Sequence, residues 1–330
     1  MKLLKRVLKL MFKHRSEYYI DMISRRLNRK KLKKSLINLG VKQGDIIFLQ
    51  SSFSAMGHVS IGAHGVIDVF LEIIGEKGTL VMPSFSTAGN MEDYVAKNEV
   101  FDVCNTPSKS GYLTEIFRKY PRTLRSIHPT HSVCANGFHA DEIIRDHEST
   151  LSPCGPNSPF DKMLNLQGKM IRIGTGAFTY YHFIQETLNF PHVFNNHTAS
   201  LECINYKKER IIVKSKVYSK GLSSILFLTK DDYIHPSNFP LLYSGDREQY
   251  IKLEQPQFYD FLIDIRQQAI ISGWFNKLTV NKCQYEISGI KQYVDCSLTL
   301  QSNLINEFKE KYEIENLSKI YKLGLYPRKK

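Results

Sequence analysis

Thr179-Tyr180-Tyr181-His182-Phe183-Ile184-Gln185-Glu186 carries the most chemically suggestive group in the chain, the imidazole of His182. An imidazole has a reference pKa of about 6.5, so it can accept a proton at neutral pH and serve as a general base toward an amine or hydroxyl. Thr179 is placed to cap a helix whose first turn holds His182, and Glu186, four residues on, lies on the same helix face. Two further polar stretches precede it, Arg125-Ser126-Ile127-His128-Pro129-Thr130-His131-Ser132 and Pro153-Cys154-Gly155-Pro156-Asn157-Ser158-Pro159-Phe160. Loops of this composition between apolar segments are where a rigid scaffold presents reactive groups. Upstream, Gln50-Ser51-Ser52-Phe53-Ser54 and Ile61-Gly62-Ala63-His64-Gly65 run into the apolar helix Val66 to Ile74. Small residues before a helix leave unpaired backbone N–H groups that suit a phosphate or other anion, and are also ordinary turn chemistry.

The remaining candidates have blander readings. His128, beside Pro129, is expected to brace a loop, and His131, His139 and His147 to lie at the surface or at helix ends. Cys134 and Cys154 have no activating neighbour in sequence and are expected to pack in the core. The six cysteines show no CxxC pair and no tight spacing with histidines, which argues against a zinc site or a disulfide framework and for reduced thiols in a cytoplasmic protein. No metal is expected.

The elements that must position these groups alternate between strand and helix. Lys31 to Leu39 reads as an amphipathic helix stopped by Gly40, Ile46 to Leu49 as a buried strand, and Gly78 to Phe85 as a second. Segment 86–110 reads as irregular, Gly111 to Tyr120 as a helix, Ser132 to Ala135 as a strand, His139 to His147 as a helix, and Met170 to Ile173 as a strand. This is the order of an α/β fold with a mixed central sheet covered by helices on both faces. After about residue 195 the texture changes: Glu202 to Tyr218 alternates apolar and charged residues, Ile225 to Leu228 reads as a strand, and Asp231 to Gln257 is long and polar. Strand-like pieces (Trp274 to Val280, Gln284 to Ile287) and helices to Tyr321 complete the chain. The expected organisation is a basic N-terminal helical extension, 1–35, and a single domain, 36–330, with an inserted segment near 206–257.

The combination resembles the aminoglycoside 3-N-acetyltransferase family, whose segments Ser-Ser-x-Ser, Gly-Thr-Leu-Val-Met-Pro, Arg-Ser-x-His-Pro, Gly-Pro-x-Ser-Pro and Thr-x-x-His occur here in the same order. They are Ser51 to Ser54, Gly78 to Pro83, Arg125 to Pro129, Gly155 to Pro159 and Thr179 to His182. The resemblance implies acyl transfer from acyl-CoA, either acetyl-CoA or a hydroxyacyl-CoA, to an amine on a sugar. It implies that His182 is the general base, that a downstream carboxylate orients it, with Asp231 or Asp232 the best candidates, and that Ser51, Ser52, Ser54, Gly62 and Ala63 contact the cofactor with Ser126 and Ser132 nearby. Thr179 or Ser52 is a candidate donor to the thioester oxyanion. Two departures stand out: Gln50 occupies the position of a histidine common before the serine pair, and Ala63 follows one glycine where the family often has two.

Charge bears on the acceptor. Lys plus Arg number 45 against 32 Asp plus Glu, a net +13, and such a field attracts anions. CoA and a nucleotide-linked amino sugar are both polyanions, so the expected reaction is N-acylation of a nucleotide-linked amino-deoxy sugar for surface-polysaccharide synthesis. Aminoglycoside acetylation giving antibiotic resistance is the alternative, since that acceptor is a polycation. A non-catalytic protein binding polyanions or a membrane surface through residues 1–35 is a second alternative. Lys5, Arg6 and Lys9 interrupt the apolar residues of the head, which excludes a signal peptide, and no run is long enough for a spanning helix. No nucleic-acid partner is expected; weak membrane-surface contact and homo-oligomer formation stay open. The absence of a Gly-x-Ser-x-Gly elbow argues against a serine hydrolase.

Overall fold

Strand β1 (Ile46–Ser51) is apolar at its first four positions, the pattern of a strand covered on both faces, and it stands at the centre of the main sheet. The structure, a computed structural model, describes residues 26–87, 89, 91–175, 179–187, 194–218 and 273–299. Beside β1 run β2 (Thr79–Pro83) and β6 (Lys169–Ile173), both parallel to it. The sheet is extended by antiparallel neighbours: β5 (Val133–Gly137) on β2, β4 (Leu124–Arg125) on β5, β10 (Cys283–Gly289) on β6 and β9 (Asn276–Val280) on β10. The order is β4-β5-β2-β1-β6-β10-β9.

Side-chain alternation divides the core. Ile47, Leu49 and Ile171 face α1 (Arg29–Leu39), α2 (Gly62–Ile74) and α4 (Tyr112–Arg118), and bury Leu32, Leu36, Val66, Phe70, Leu113 and Phe117. Phe48, Val81 and Met170 face the other way, toward α5 (Ala140–Ile144), α6 (Pro159–Asn165), α7 (Tyr180–Thr187) and a helix that begins at 290. The sheet is therefore mixed and covered on both faces, as the alternation of elements implies. Helix α1 crosses the expected boundary at residue 35. Asn28 caps it through a bond from the Lys31 N–H (2.9 Å), Gly40 ends it at φ 114°, and its buried leucines belong to the main core. The basic extension as drawn in the sequence therefore takes in part of the domain, because the apolar stripe of α1 is as regular as its charge.

Segment 86–110 is not wholly irregular: it holds α3 (Met91–Ala96) and the short β3 (Phe101–Asp102). β3 joins β7 (Phe194–Ile204) and β8 (Arg210–Tyr218) in a second sheet ordered β3-β7-β8. The β7–β8 turn is shaped by Asn205, whose Oδ1 accepts from the N–H groups of Lys207 and Glu209. Of the inserted segment expected near 206–257, residues 206–218 form this turn and β8; its remainder, the strand expected at Ile225 to Leu228, and the helices expected after residue 299 lie outside the described residues.

The aromatic trio that links β1 to the site helices is Phe48, Phe160 and Tyr180. Each pair meets edge-on with ring centroids 5.7 Å apart, and the Tyr180 hydroxyl donates to the Phe160 carbonyl at 3.0 Å. Edge-to-face packing adds to the area these rings bury. Phe48→Ala removes the centre of the trio and is expected to lower unfolding free energy by about 3–5 kcal/mol, read as a drop in the urea midpoint with the slope unchanged.

Candidate active site

The carboxyl ends of β1, β2 and β6 and the amino ends of β5 and β10 lie at one end of the main sheet, as their parallel and antiparallel pairings require. In open α/β sheets ligands bind outside the carboxyl ends of the parallel strands. Near the end of β1, the Gln50 carboxamide makes a two-point contact with Thr179: Nε2 donates to Thr179 Oγ1 at 2.9 Å, and the Thr179 N–H donates to Oε1 at 3.2 Å. The Thr179 carbonyl in turn accepts the N–H of His182 at 3.0 Å, opening α7. Gly174, at the exit from β6, has φ 60°, and a Cβ there would lie 2.4 Å from Ala55 Cβ and 2.9 Å from Cys283 Sγ; only glycine lets the three loops approach so closely.

His182 is half-buried on the first turn of α7. Its ring stacks on Tyr218, at the end of β8, with centroids 4.3 Å apart and planes 21° apart, and His131 meets it edge-on at 5.9 Å. Phe194 also stacks on Tyr218, at 5.0 Å, and the Lys216 ammonium sits 5.0 Å from the Phe194 ring centroid. The Tyr218 hydroxyl and the Ser152 hydroxyl both donate to the Glu186 carboxylate. The loop from Ser152 closes around that carboxylate so tightly that a Cβ on Gly155 would lie 2.5 Å from Glu186 Oε2. Burial pushes the Glu186 carboxyl up to about 7, against the opposing pull of the Tyr218 hydroxyl, the Cys154 N–H and Lys216.

Behind His131 is a run of imidazoles. His131 Nδ1 pairs with Thr130 Oγ1 at 2.9 Å, and His128 Nδ1 accepts from the N–H groups of Thr130 and His131 at 3.3 and 3.0 Å. His128 stacks on His147 at 4.5 Å. His147 Nε2 faces the Pro153 carbonyl at 3.0 Å and so carries the proton, which leaves Nδ1 to accept from the Ser126 hydroxyl at 2.8 Å. All three rings are buried, and burial holds His128 and His131 well below the usual histidine range and His147 at about 3, so they stand neutral. His128 braces its loop as expected. His131 and His147, expected at the surface or at helix ends, are core residues: the second sheet covers them, and pairing between distant segments leaves no mark in a local pattern.

The sequence-derived site residues divide into two groups. Ser51, Ser52, Ser54, Gly62 and Ala63 lie together on the β1 exit and the start of α2. Ser52 Oγ and Ser54 Oγ are 3.2 Å apart, Gly62 is exposed, Ala63 is buried, and Ser51 Oγ is buried with no hydrogen-bond partner among the described residues. Ser126 and Ser132 correct the expectation of hydroxyls presented to a ligand. Both are fully buried: Ser126 Oγ also accepts from the Val133 N–H at 2.9 Å, while Ser132 Oγ accepts from Arg125 Nε at 3.0 Å and donates to the Ser84 carbonyl at 2.6 Å. Thr179 is buried, and its Oγ1 accepts from Gln50 Nε2, which fastens the start of α7. Asp231 and Asp232 lie outside the described residues. Cys134 and Cys154 are fully buried thiols with raised pKa, Cys134 at about 11, in keeping with core packing. Among the described residues no group of His, Cys, Asp and Glu is arranged to hold a metal, and no helix is long and apolar enough to cross a membrane.

Two contributors went unassigned in the sequence. Tyr218 sits at the end of an ordinary alternating strand, with no sign that it meets His182. Glu186 had a signal, its i, i+4 relation to His182, but its protonation near neutrality arises from burial. The row that supports Gln50 was also hidden: in register across the sheet, Gln50 is followed by Arg172 and Glu286, a buried ion pair whose guanidinium lies 5.1 Å from the Phe275 ring centroid.

A family model described as aminoglycoside 3-N-acetyltransferase matches residues 48–224, more than half of the 330-residue chain. Aminoglycoside N(3)-acetyltransferase IV of Salmonella sp is 32% identical over 171 residues, covering 51% of this chain and 62% of the relative. Aminoglycoside N(3)-acetyltransferase IX of Micromonospora chalcea is 27% identical over 161 residues, covering 45% and 57%. The matched region thus spans about three fifths of those curated relatives. Among solved structures, aminoglycoside acetyltransferase AAC(3)-Xa superposes with a TM-score of 0.64 at 20% identity over 86% of this chain and 97% of its own. AAC-IIIb, solved as a binary complex with CoASH, gives 0.62 at 18% identity over 83% and 96%. At these identities the superpositions establish the fold.

The titration of Glu186 has a measurable consequence for stability. Its pKa is raised from an ordinary carboxylate value to about 7 in the folded protein, so the native state holds a proton that the unfolded chain gives up, and stability falls as pH rises from about 4.5 to about 7. Glu186→Gln removes this contribution. Compared by urea denaturation at pH 5 and pH 8, the wild type is expected to lose on the order of 2–3 kcal/mol more than the variant; equal losses would contradict the assignment.

Proposed function

Because the chain belongs to the aminoglycoside 3-N-acetyltransferase family, we propose that it transfers an acetyl group from acetyl-CoA to an amine of an aminoglycoside-type amino sugar, with His182 as general base. The observation that carries the reading is the placement of His182: a half-buried imidazole at the carboxyl ends of the parallel strands, clamped through Gln50 and Thr179 and stacked on Tyr218. The relatives' names support an aminoglycoside acceptor over the nucleotide-linked sugar that net charge alone favours. Net charge is a global quantity and does not set the charge beside His182, where Glu186 lies on the same helix and Lys216 of β8 faces Glu186.

The chemistry follows from the residues. Neutral His182 takes a proton from the acceptor's ammonium; the freed nitrogen attacks the thioester carbonyl; as the tetrahedral centre collapses, the C–N bond persists and the C–S bond breaks. The proton held by the imidazolium is then available to the departing thiolate, and the second proton of the attacking nitrogen leaves to solvent, so that the products are an amide, free CoA thiol, one released proton and neutral His182. The β1 exit fits the thioester substrate: the buried Ser51 hydroxyl lacks a partner among the described residues, Ser52 and Ser54 add two hydroxyls, and the N-terminus of α2 has no side-chain cap. Those groups can receive polar and anionic parts of CoA.

A second reading, a nucleotide-linked amino sugar as acceptor, is favoured by one observation, the +13 balance of the whole chain. Thiol release from acetyl-CoA with a panel of aminoglycosides and nucleoside-diphosphate amino sugars separates the two. The expected result is turnover with the aminoglycosides and a fall of about 10²–10⁴ in kcat for His182→Ala with the fold intact. Turnover confined to the nucleotide sugars would transfer the assignment to the second reading, and full activity of His182→Ala would remove His182 from it.

A further inference from the structure

His182, Tyr218 and Phe194 form a three-ring stack, and the Lys216 ammonium lies over the Phe194 ring. The middle residue is held from several sides: the Tyr218 hydroxyl donates to Glu186 on α7, the Tyr218 N–H points at Met91 Sδ (3.5 Å), and His131 meets the ring at 5.2 Å. Helix α7 thus contributes both the imidazole and the carboxylate, one helical turn apart, and Tyr218 bridges them from a strand of the second sheet. The base is consequently positioned by β8 as well as by its own helix.

We propose that Tyr218 and Glu186 form a positioning pair for His182, in which Glu186 fixes Tyr218 through its hydroxyl and the Tyr218 ring fixes the imidazole plane and stabilises its protonated form. Two physical effects support this. The face of an aromatic ring attracts a cation, so an imidazolium stacked on Tyr218 is favoured over a neutral imidazole in the same place. A hydroxyl bound to a carboxylate makes a stronger hydrogen bond than one bound to a neutral acid, so ionisation of Glu186 tightens the anchor. Glu186 titrates near 7 because of burial, within the range where His182 must exchange protons. The groups facing Glu186 include Tyr218 and Lys216 of β8 and Ser152 and the Cys154 N–H of the loop before α6; those facing His182 include Tyr218 and the buried, neutral His131. Lys216 opposes protonation of Glu186, and His131 adds no charge. The pair acts on whatever chemistry His182 performs, and its role in acetyl transfer rests on the function proposed above.

The test reads His182 directly. In the full-length protein, imidazole protons are followed by NMR across pH 5–9, with His182 assigned by the signal missing from His182→Asn. Tyr218→Leu removes the ring face and is expected to lower the His182 midpoint by about 0.5 pH unit, with a roughly tenfold loss of kcat and little change in KM for acetyl-CoA. Tyr218→Phe keeps the ring and deletes only the bond to Glu186; the carboxyl, followed by ¹³C, is expected to titrate at higher pH, and the His182 midpoint to stay nearer the wild-type value than in Tyr218→Leu. Should Tyr218→Leu fail to fold, the carboxyl shift in Tyr218→Phe still decides the matter. Wild-type midpoints for both groups in the variants would overturn the pair. If the wild type acetylates no amine while the midpoints move as described, the proposed function fails and the pair stands.

Discussion

The Gln50–Thr179 contact is the constraint on which the arrangement depends. Gln50 is carried by the central strand, held between two parallel neighbours, and its carboxamide engages the backbone and side chain of the residue that opens α7. Through the Thr179 carbonyl it sets where the first helical turn begins, and hence where His182 stands. A net contribution of about 1 kcal/mol per hydrogen bond is modest, but leaving either buried partner unsatisfied costs more, so the helix has one favourable starting point. The histidine that relatives commonly place before the serine pair could not make the same two-point contact with both the hydroxyl and the N–H of Thr179, since a neutral imidazole offers one donor and one acceptor on opposite sides of a rigid ring.

Around this frame, burial sorts titratable groups by the charge they carry. Three imidazoles, two thiols and a tyrosine are kept neutral, each with a pKa moved away from neutrality. Arg125, the buried cation beside them, is held by the Thr106 and Ser84 carbonyls, the Ser132 hydroxyl and the face of Phe101. It ties the loop after β2 to β4 and β5 without a carboxylate. Glu186 differs from all of these in having a pKa brought toward 7 and not away from it. Displacement of a pKa toward the working pH is the pattern of groups that serve a reacting centre.

How much could be read from the chain follows from the range of each interaction. The apolar run of β1, the stop at Gly40 and the capped start of α7 are local, and the alternation of strand and helix gave the covered sheet. The five ordered segments singled out the serine loop and His182. Long-range contacts were not legible. The resemblance set Ser126 and Ser132 near the cofactor, yet one is locked to His147 and the other to Arg125 and Ser84. His131 and His147 lie in short polar runs whose burial comes from the second sheet. Tyr218 meets Glu186 across 32 residues of sequence, and nothing in the alternation of β8 distinguishes it from a tyrosine that merely packs.

The bridge between Leu27 and Val59 has a consequence for the head of the chain. Leu27 is fully buried; its N–H donates to the His58 carbonyl at 2.8 Å, and its carbonyl accepts from the Ser60 N–H at 3.0 Å. His58, Val59 and Ser60 lie between the serine loop and α2, so Leu27 is fastened beside that connection. The two backbone bonds of Leu27 join the residue just before the Asn28 cap of α1 to the segment that leads into α2, so the first helix and the serine loop cannot separate without exposing a fully buried leucine and two unpaired backbone groups.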